Sequence, residues 1–125
     1  VRLLLDTNIV VWMLRTPDRL SRVVEAALND EANVLLVSSI SIFEIALKRS
    51  VGKLDVGDGV LTRLEQIGCV SLPLNDRHSW RVSDLPWIHR DPFDRLIVAQ
   101  ALEERATLVT SDRVLSLYGC ATMLN

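Results

Sequence analysis

The feature that most constrains this chain is a set of short, unbroken apolar runs. Leu3-Leu4-Leu5, Val34-Leu35-Leu36-Val37, Cys69-Val70-Ser71-Leu72, Leu108-Val109-Thr110 and Ala121-Thr122-Met123-Leu124 are too short for helices and do not alternate cleanly with polar residues. A strand with one wet face alternates, so continuous runs of this length belong to strands covered on both faces, as in a parallel sheet between helices. The intervening segments carry helical periodicity: Asn8 to Leu14, Ser21 to Asn29, Ser41 to Val51, Val60 to Gln66, Asp76 to Ser83 and Pro92 to Arg105. Gly52 and Gly68 follow two of these where left-handed helix ends are expected, and Asp91-Pro92 opens the last one as a cap and first-turn pair. The predicted class is α/β: a three-layer α/β/α sandwich around a central, mainly parallel five-stranded sheet, with residues 1–125 as a single domain.

Composition narrows the function classes. With 49% hydrophobic and 24% charged residues the chain is neither disordered nor of low complexity. Its 14 Lys and Arg against 16 Asp and Glu give net −2, so a polyanionic partner must be held by a local patch or by metal ions rather than by bulk charge. Cys69 and Cys120 lie far apart without metal-ligand spacing and read as reduced, buried thiols. The longest mainly apolar stretch, Ala32 to Leu47, is broken by serines and Glu44, and Asp6 interrupts any leader-like core. A cytoplasmic protein with no membrane contact is therefore expected.

Four acids stand out. In an open parallel sheet, ligands sit beyond the carboxyl ends of the strands. Asp6 follows the first apolar run directly, with Thr7 and Asn8 behind it, and Asp112 follows the fourth run and Ser111. Each alone also reads as a helix cap. Glu44 falls among Ile40, Phe43, Leu47 and Val51, an apolar stripe at helical spacing, and so is expected to face the core unless it pairs with Lys48 one turn on. Asp94 shares the face of Ile97, Val98 and Ala101, although an acid in a first turn also suits the helix dipole. Carboxylates converging on one pocket repel one another, and an all-oxygen cluster selects Mg²⁺ or Mn²⁺. Such ions serve phosphoryl chemistry on polyanions by activating water and neutralising phosphate charge.

The run Leu3-Leu4-Leu5-Asp6-Thr7-Asn8, the helix carrying Glu44, the segment His89-Arg90-Asp91-Pro92-Phe93-Asp94-Arg95-Leu96-Ile97-Val98-Ala99-Gln100-Ala101 and the closing Thr110-Ser111-Asp112 together resemble the PIN domain family, in particular its VapC-like ribonuclease toxins of type II toxin–antitoxin pairs. The resemblance covers almost the whole chain. It implies a metal-dependent endoribonuclease with Asp6, Glu44, Asp94 and Asp112 as acidic centre. Asp6 and Asp94 would be the principal metal ligands, Glu44 a direct or water-mediated one, and Asp112 a supporting or second-metal ligand. Thr7, Asn8 and Ser111 would orient carboxylates or water. The family further implies a structured RNA substrate, such as tRNA or rRNA, a cognate antitoxin and a homodimer.

Arg15, Lys48, Arg49, Arg90, Arg95 and Arg113 lie near an acid in sequence and are candidate RNA contacts, each also readable as ordinary surface. His89 reads as a loop histidine with acid–base or RNA contact as its alternative, His78 as an ordinary helix residue, and Asp91 as a cap. Trp12, Trp80 and Trp87 are expected in core or interface packing, with base stacking as the alternative. Rival readings are a metal-dependent phosphotransferase of the haloacid-dehalogenase type, which would want an acid where Asn8 stands, and a catalytically silent fold that only binds RNA or protein. A dinucleotide-binding protein is excluded, since no G-x-G-x-x-G follows the first run.

Overall fold

In the computed structural model, which describes residues 1–125, the first apolar run becomes the middle strand of the sheet. The strands are β1 (Arg2–Leu5), β2 (Val34–Ser38), β3 (Val70–Leu72), β4 (Thr107–Thr110) and β5 (Thr122–Leu124). They lie in the order β3-β2-β1-β4-β5 and every pairing is parallel. Register is set by the leucines: Leu3 stands beside Leu35 on one side and Thr107 on the other.

Both faces of the central strands are dry, as the unbroken apolar runs require. Leu4, Leu36, Leu72 and Leu108 point into one core, with Ile97, Val98 and Ala101 of helix α6 (Pro92–Glu104). Leu3, Leu5, Leu35, Val37 and Val109 point into the other. That second core is closed by α1 (Thr7–Arg15), α2 (Arg22–Asn29), α3 (Ser39–Ser50) and α4 (Val60–Ile67), through Ile9 and Val10, Val24, Ile45 and Leu64 respectively. The edges depart from the expectation of full cover. Val70 on β3 and Leu124 on β5 are exposed, because an edge strand has only one neighbour and helices reach over it incompletely.

Local signals set the helix ends. Ser21 caps α2 through Val24 N–H, and Asp91 caps α6 by accepting from Phe93 and Asp94 N–H. Gly68 ends α4 at φ 97°, a left-handed conformation that any side chain would strain. The polar helix α5 (Asp76–Arg81) gives way to a 3-10 turn over Val82–Asp84, and a further turn, Pro17–Arg19, has no periodicity to announce it. His78 is fully buried. Its Nδ1 accepts from Asn75 N–H, and its Nε2 lies 3.1 Å from Glu104 Oε2, which fixes α5 against the end of α6. The hydrogen bonds from His78 and Arg2 hold the Glu104 carboxyl below its usual range. Both cysteines are free. Cys120 is buried, Cys69 only half-buried, and burial pushes both thiols up. No helix is long and apolar enough to cross a membrane.

Helix α6 ends on Arg105, whose φ of 52° makes it the one non-glycine residue in the left-handed region. It is exposed, so its conformation outweighs its contacts. Arg105→Gly is expected to raise unfolding free energy by about 1 kcal/mol, read from urea denaturation, and to leave the fold unchanged.

Candidate active site

The chain builds β1, β2 and β3 towards one edge of the sheet and then returns to build β4 and β5 on the other side of β1. The crevice beyond the carboxyl ends of β1 and β4 is therefore the switch point where open α/β sheets bind ligands. Asp6 leaves β1 there. Its backbone N–H donates to Val109 O at 2.9 Å, which prolongs the β1–β4 pairing into the site. Its carboxylate is buried and accepts from Thr7 N–H at 2.8 Å and from the Thr110 hydroxyl at 2.7 Å. The same Thr110 oxygen accepts from Asp112 N–H at 3.0 Å, so one hydroxyl ties together the ends of the two central strands.

Asp94 rises from the first turn of α6 towards this point, half-buried, while Asp112 caps the 3-10 turn Arg113–Tyr118 by accepting from Val114 N–H. His89 stands between them, with Nε2 3.4 Å from an Asp94 oxygen and 3.5 Å from an Asp112 oxygen. Side-chain atoms of these three residues lie within 4.8 Å of one another, close enough to ligate one ion. Glu44, from α3, completes the group, and its Oε2 accepts from Lys48 Nζ at 3.0 Å.

Electrostatics reveals how closely the acids gather. Burial raises the Asp6 carboxyl, the Thr110 and Thr7 hydrogen bonds oppose it, and the charges of Glu44 and Asp112 raise it further. The Asp94 carboxyl is pushed up to about 7, first by burial, then by Asp6 and Asp91, with His89 pulling it down and Glu44 adding to the rise. A pocket of carboxylates that keeps one of them protonated near neutral pH is short of positive charge. That is the donor set and the deficit that a divalent cation relieves.

Several expectations need correction. The stripe Ile40, Phe43, Leu47, Val51 is not the core face of α3: Phe43, Leu47 and Val51 are exposed. The helix turns Ser41 and Ile45 inward instead, because Ser41 is small enough for α1 and α3 to approach and its Oγ accepts from the Thr7 hydroxyl at 3.0 Å. Glu44 therefore sits at the border of the buried face, and its pairing with Lys48 is the alternative that the structure displays. The Thr7 hydroxyl serves Ser41; only its N–H meets a carboxylate. Asn8 is exposed and Ser111 half-buried.

Arg95 is no surface contact for RNA. It is 4% exposed, and its guanidinium donates to the carbonyls of Pro86, Val82 and Leu85 and to the Tyr118 hydroxyl. Arg15 pairs with Asp55 and Arg49 with Asp58, both towards the ends of helices that begin at the site. Arg90 and Arg113 are exposed beside His89 and Asp112. Trp80 and Trp87 are exposed rather than packed in a core. Sequence reasoning passed over Thr110 and underweighted His89. The signal for His89 was its place two residues before a capping Asp91, which lets its Nδ1 accept from Asp91 N–H at 3.1 Å and turns Nε2 towards the acids.

A cavity of about 750 Å³ lies elsewhere, between α3 and α4 and lined by Ile42, Ile45, Ala46, Val60 and Leu61. None of the acids reaches it. At about 100° per residue, its α3 residues lie on the flank of the helix turned away from Glu44.

The fold and the acidic crevice define a class. The family model described as PIN domain matches residues 3–119, and the chain belongs to the PIN domain family. Within that family it is similar to the protein named Ribonuclease VapC22 of Mycobacterium tuberculosis, at 32% identity over 125 aligned positions that cover 88% of this chain and 86% of that one. Similar folds occur in VapBC2 from Rickettsia felis bound to a promoter DNA fragment (TM-score 0.75, 20% identity, 99% of this chain and 98% of that one). VapBC-1 from nontypeable Haemophilus influenzae gives a TM-score of 0.72 at 18% identity, again over 99% of this chain and 98% of that one.

Two outcomes follow. Between about pH 4 and 7 the folded, metal-free protein holds the Asp94 proton that the unfolded chain has lost. Its contribution to stability is thus full at low pH and is lost as pH rises through about 7. Asp94→Asn removes that loss, so the metal-free variant should flatten this part of the stability–pH curve and gain up to about 4 kcal/mol at pH 8, measured by urea denaturation in chelator. Arg95→Ala strands the Val82, Leu85 and Pro86 carbonyls and the Tyr118 hydroxyl, and should lower stability by about 2–5 kcal/mol in the same assay.

Proposed function

We propose that the chain is a Mg²⁺- or Mn²⁺-dependent endoribonuclease that hydrolyses RNA phosphodiester bonds and acts as the toxin of a type II toxin–antitoxin pair. The observation that carries this reading is the convergence of Asp6, Glu44, Asp94 and Asp112, with His89 among them, on the crevice beyond β1 and β4. The ribonuclease name of the mycobacterial relative supports the same chemistry.

Asp6 and Asp94 would be the principal ligands of the ion, Glu44 a direct or water-mediated one and Asp112 a supporting one. A bound divalent cation supplies a water of lowered pKa and neutralises charge on the phosphate. The chain's own groups do the rest. Thr110 and Thr7 N–H lock the Asp6 carboxylate in one orientation, so that it need not reorganise when a charged substrate arrives. Asp94, raised to about 7 without the ion first by burial and then by its acidic neighbours, would be ionised as a ligand of the cation, whose charge offsets that crowding. His89 Nε2 stands 3.4 Å from an Asp94 oxygen and 3.5 Å from an Asp112 oxygen, where its one N–H can serve either carboxylate. Asn8, two residues after Asp6, and Ser111, directly before Asp112, would position water. Arg90 and Arg113, exposed beside the acids, suit contact with the flanking phosphates of the RNA. Arg15 and Arg49 would meet only a longer, structured substrate such as tRNA or rRNA.

The partners in this reading are a cognate antitoxin and a second copy of the chain, in the cytoplasm. VapBC assemblies among the similar structures support the antitoxin.

The test is incubation of the purified protein with total RNA and a set of tRNAs in Mg²⁺ or Mn²⁺, beside chelator and Asp94→Asn controls. Cuts at defined sites should appear with metal and fall at least about a hundredfold in both controls. Cleavage in chelator at the parent rate would remove the metal from the reading, and an Asp94→Asn variant as active as the parent would remove the acid.

A further inference from the structure

Trp87 is 80% exposed, a large apolar ring left in water on a short loop. It is not loose. The Arg95 guanidinium carbon lies 4.1 Å from the ring centroid and backs one face of the indole. Arg95 itself cannot swing away, because Pro86 O, Val82 O, Leu85 O and the Tyr118 hydroxyl take its N–H groups at 2.8, 3.2, 3.4 and 3.4 Å. The backbone on either side is pinned as well: Ile88 N–H donates to Pro86 O at 3.0 Å, and His89 N–H donates to the Tyr118 hydroxyl at 2.7 Å. A guanidinium over an indole is attractive, and in a desolvated position more so. The ring is thus held in advance and does not have to be ordered by whatever lands on its free face.

Its position links it to the acids. Only Ile88 separates Trp87 from His89, so their Cα atoms lie within about 7 Å, and His89 reaches Asp94 and Asp112. Arg95, beneath the ring, follows Asp94 directly on α6. An RNA strand that enters the acidic crevice along the 87–89 loop would meet Trp87 within a nucleotide or two of the phosphate held there.

We propose that Trp87 is a stacking platform for an unpaired base of the RNA, next to the phosphodiester that is cut, and that it helps to determine which sites are cut. The inference rests on the nuclease reading above. Stacking uses the π-face that every base has, so Trp87 selects less for base identity than for an unstacked nucleotide, one found in loops and bulges and not inside a duplex. Arg90, exposed three residues on, supplies charge for the neighbouring phosphate.

Binding and cleavage are measured separately, so that the two readings fail separately. Binding uses the Asp94→Asn protein and a fluorescently labelled single-stranded oligoadenylate, with an RNA duplex of equal length as comparison. Trp87→Ala should weaken the single-strand complex about tenfold or more, Trp87→Phe should stay within about threefold of the parent, and the duplex should bind all three alike. In the Trp87-containing protein one abasic position in the strand should reproduce the loss, and the same abasic strand should cost Trp87→Ala nothing further. Trp87→Ala gives up the contact with the Arg95 guanidinium and should melt a little below the parent while staying folded; were it to misfold, the Phe variant and the abasic series still decide. Equal binding by Trp87→Ala, an equal loss for duplex, or abasic losses that simply add in the variant would each overturn the platform. Loss of self-association with RNA binding intact would reassign Trp87 to a protein interface. A parent that binds in this way yet cuts no RNA with metal would sink the nuclease reading and leave stacking in place.

Discussion

The buried Asp6 carboxylate at the end of the middle strand is the interaction on which the rest of the site depends. Removed from water, it is tolerable only because Thr7 N–H and the Thr110 hydroxyl reach it from two different segments. Those two bonds do more than offset burial. They join the start of α1 to the end of β4, and Thr110 passes the constraint on to Asp112 through the Asp112 N–H. One desolvated charge thus fixes the spacing of the two central strands at the edge where the other acids arrive. Burial first, and then like charges so arranged, disfavour the ionised acids, and both raise the Asp94 carboxyl. The apolar cores on both faces of the sheet hold the group together in spite of it.

A second constraint stabilises the far wall of the crevice. Arg95 is a buried cation with carbonyl and hydroxyl acceptors and no carboxylate of its own, so its charge is balanced by dipoles and by the indole above it. The loop from Val82 to His89 owes its shape to that one side chain. His89 meets Asp94 and Asp112 because Tyr118 and Arg95 hold the backbone before it, a case of a functional side chain positioned from beneath by packing.

How much of this was legible in the sequence varies with the physics involved. The strands and most helix ends could be read, since unbroken apolar runs, Ser21, Asp91-Pro92 and Gly68 act locally. Asp6 and Asp112 could be read as acids at strand ends, because the class of sheet says where such ends meet. The inward face of α3 could not. Its first turns are apolar nearly all round, so periodicity admits two stripes, and the true one includes Ser41, which a polarity pattern scores against burial. Arg95 and His89 escape a local reading for the same reason: their positions are set by partners distant in sequence, such as Tyr118, that no local pattern names. The order of the strands lay equally beyond reach, and with it the fact that β1 has β4 as a neighbour.

That neighbour arrives late. Asp6 and Thr110 are 104 residues apart, and every strand that pairs on the other side of β1 is complete before α6 begins. While the chain is being synthesised, β1, β2 and β3 can assemble as they emerge, but β1 keeps a bare edge and Asp6 lacks its hydroxyl donor until β4 follows. Until then Asp94 and Asp112 have nothing to meet. The order of the sheet therefore makes the acidic crevice the last part of the molecule to exist, and any fragment that stops short of β4 carries an open strand edge prone to association in place of a site.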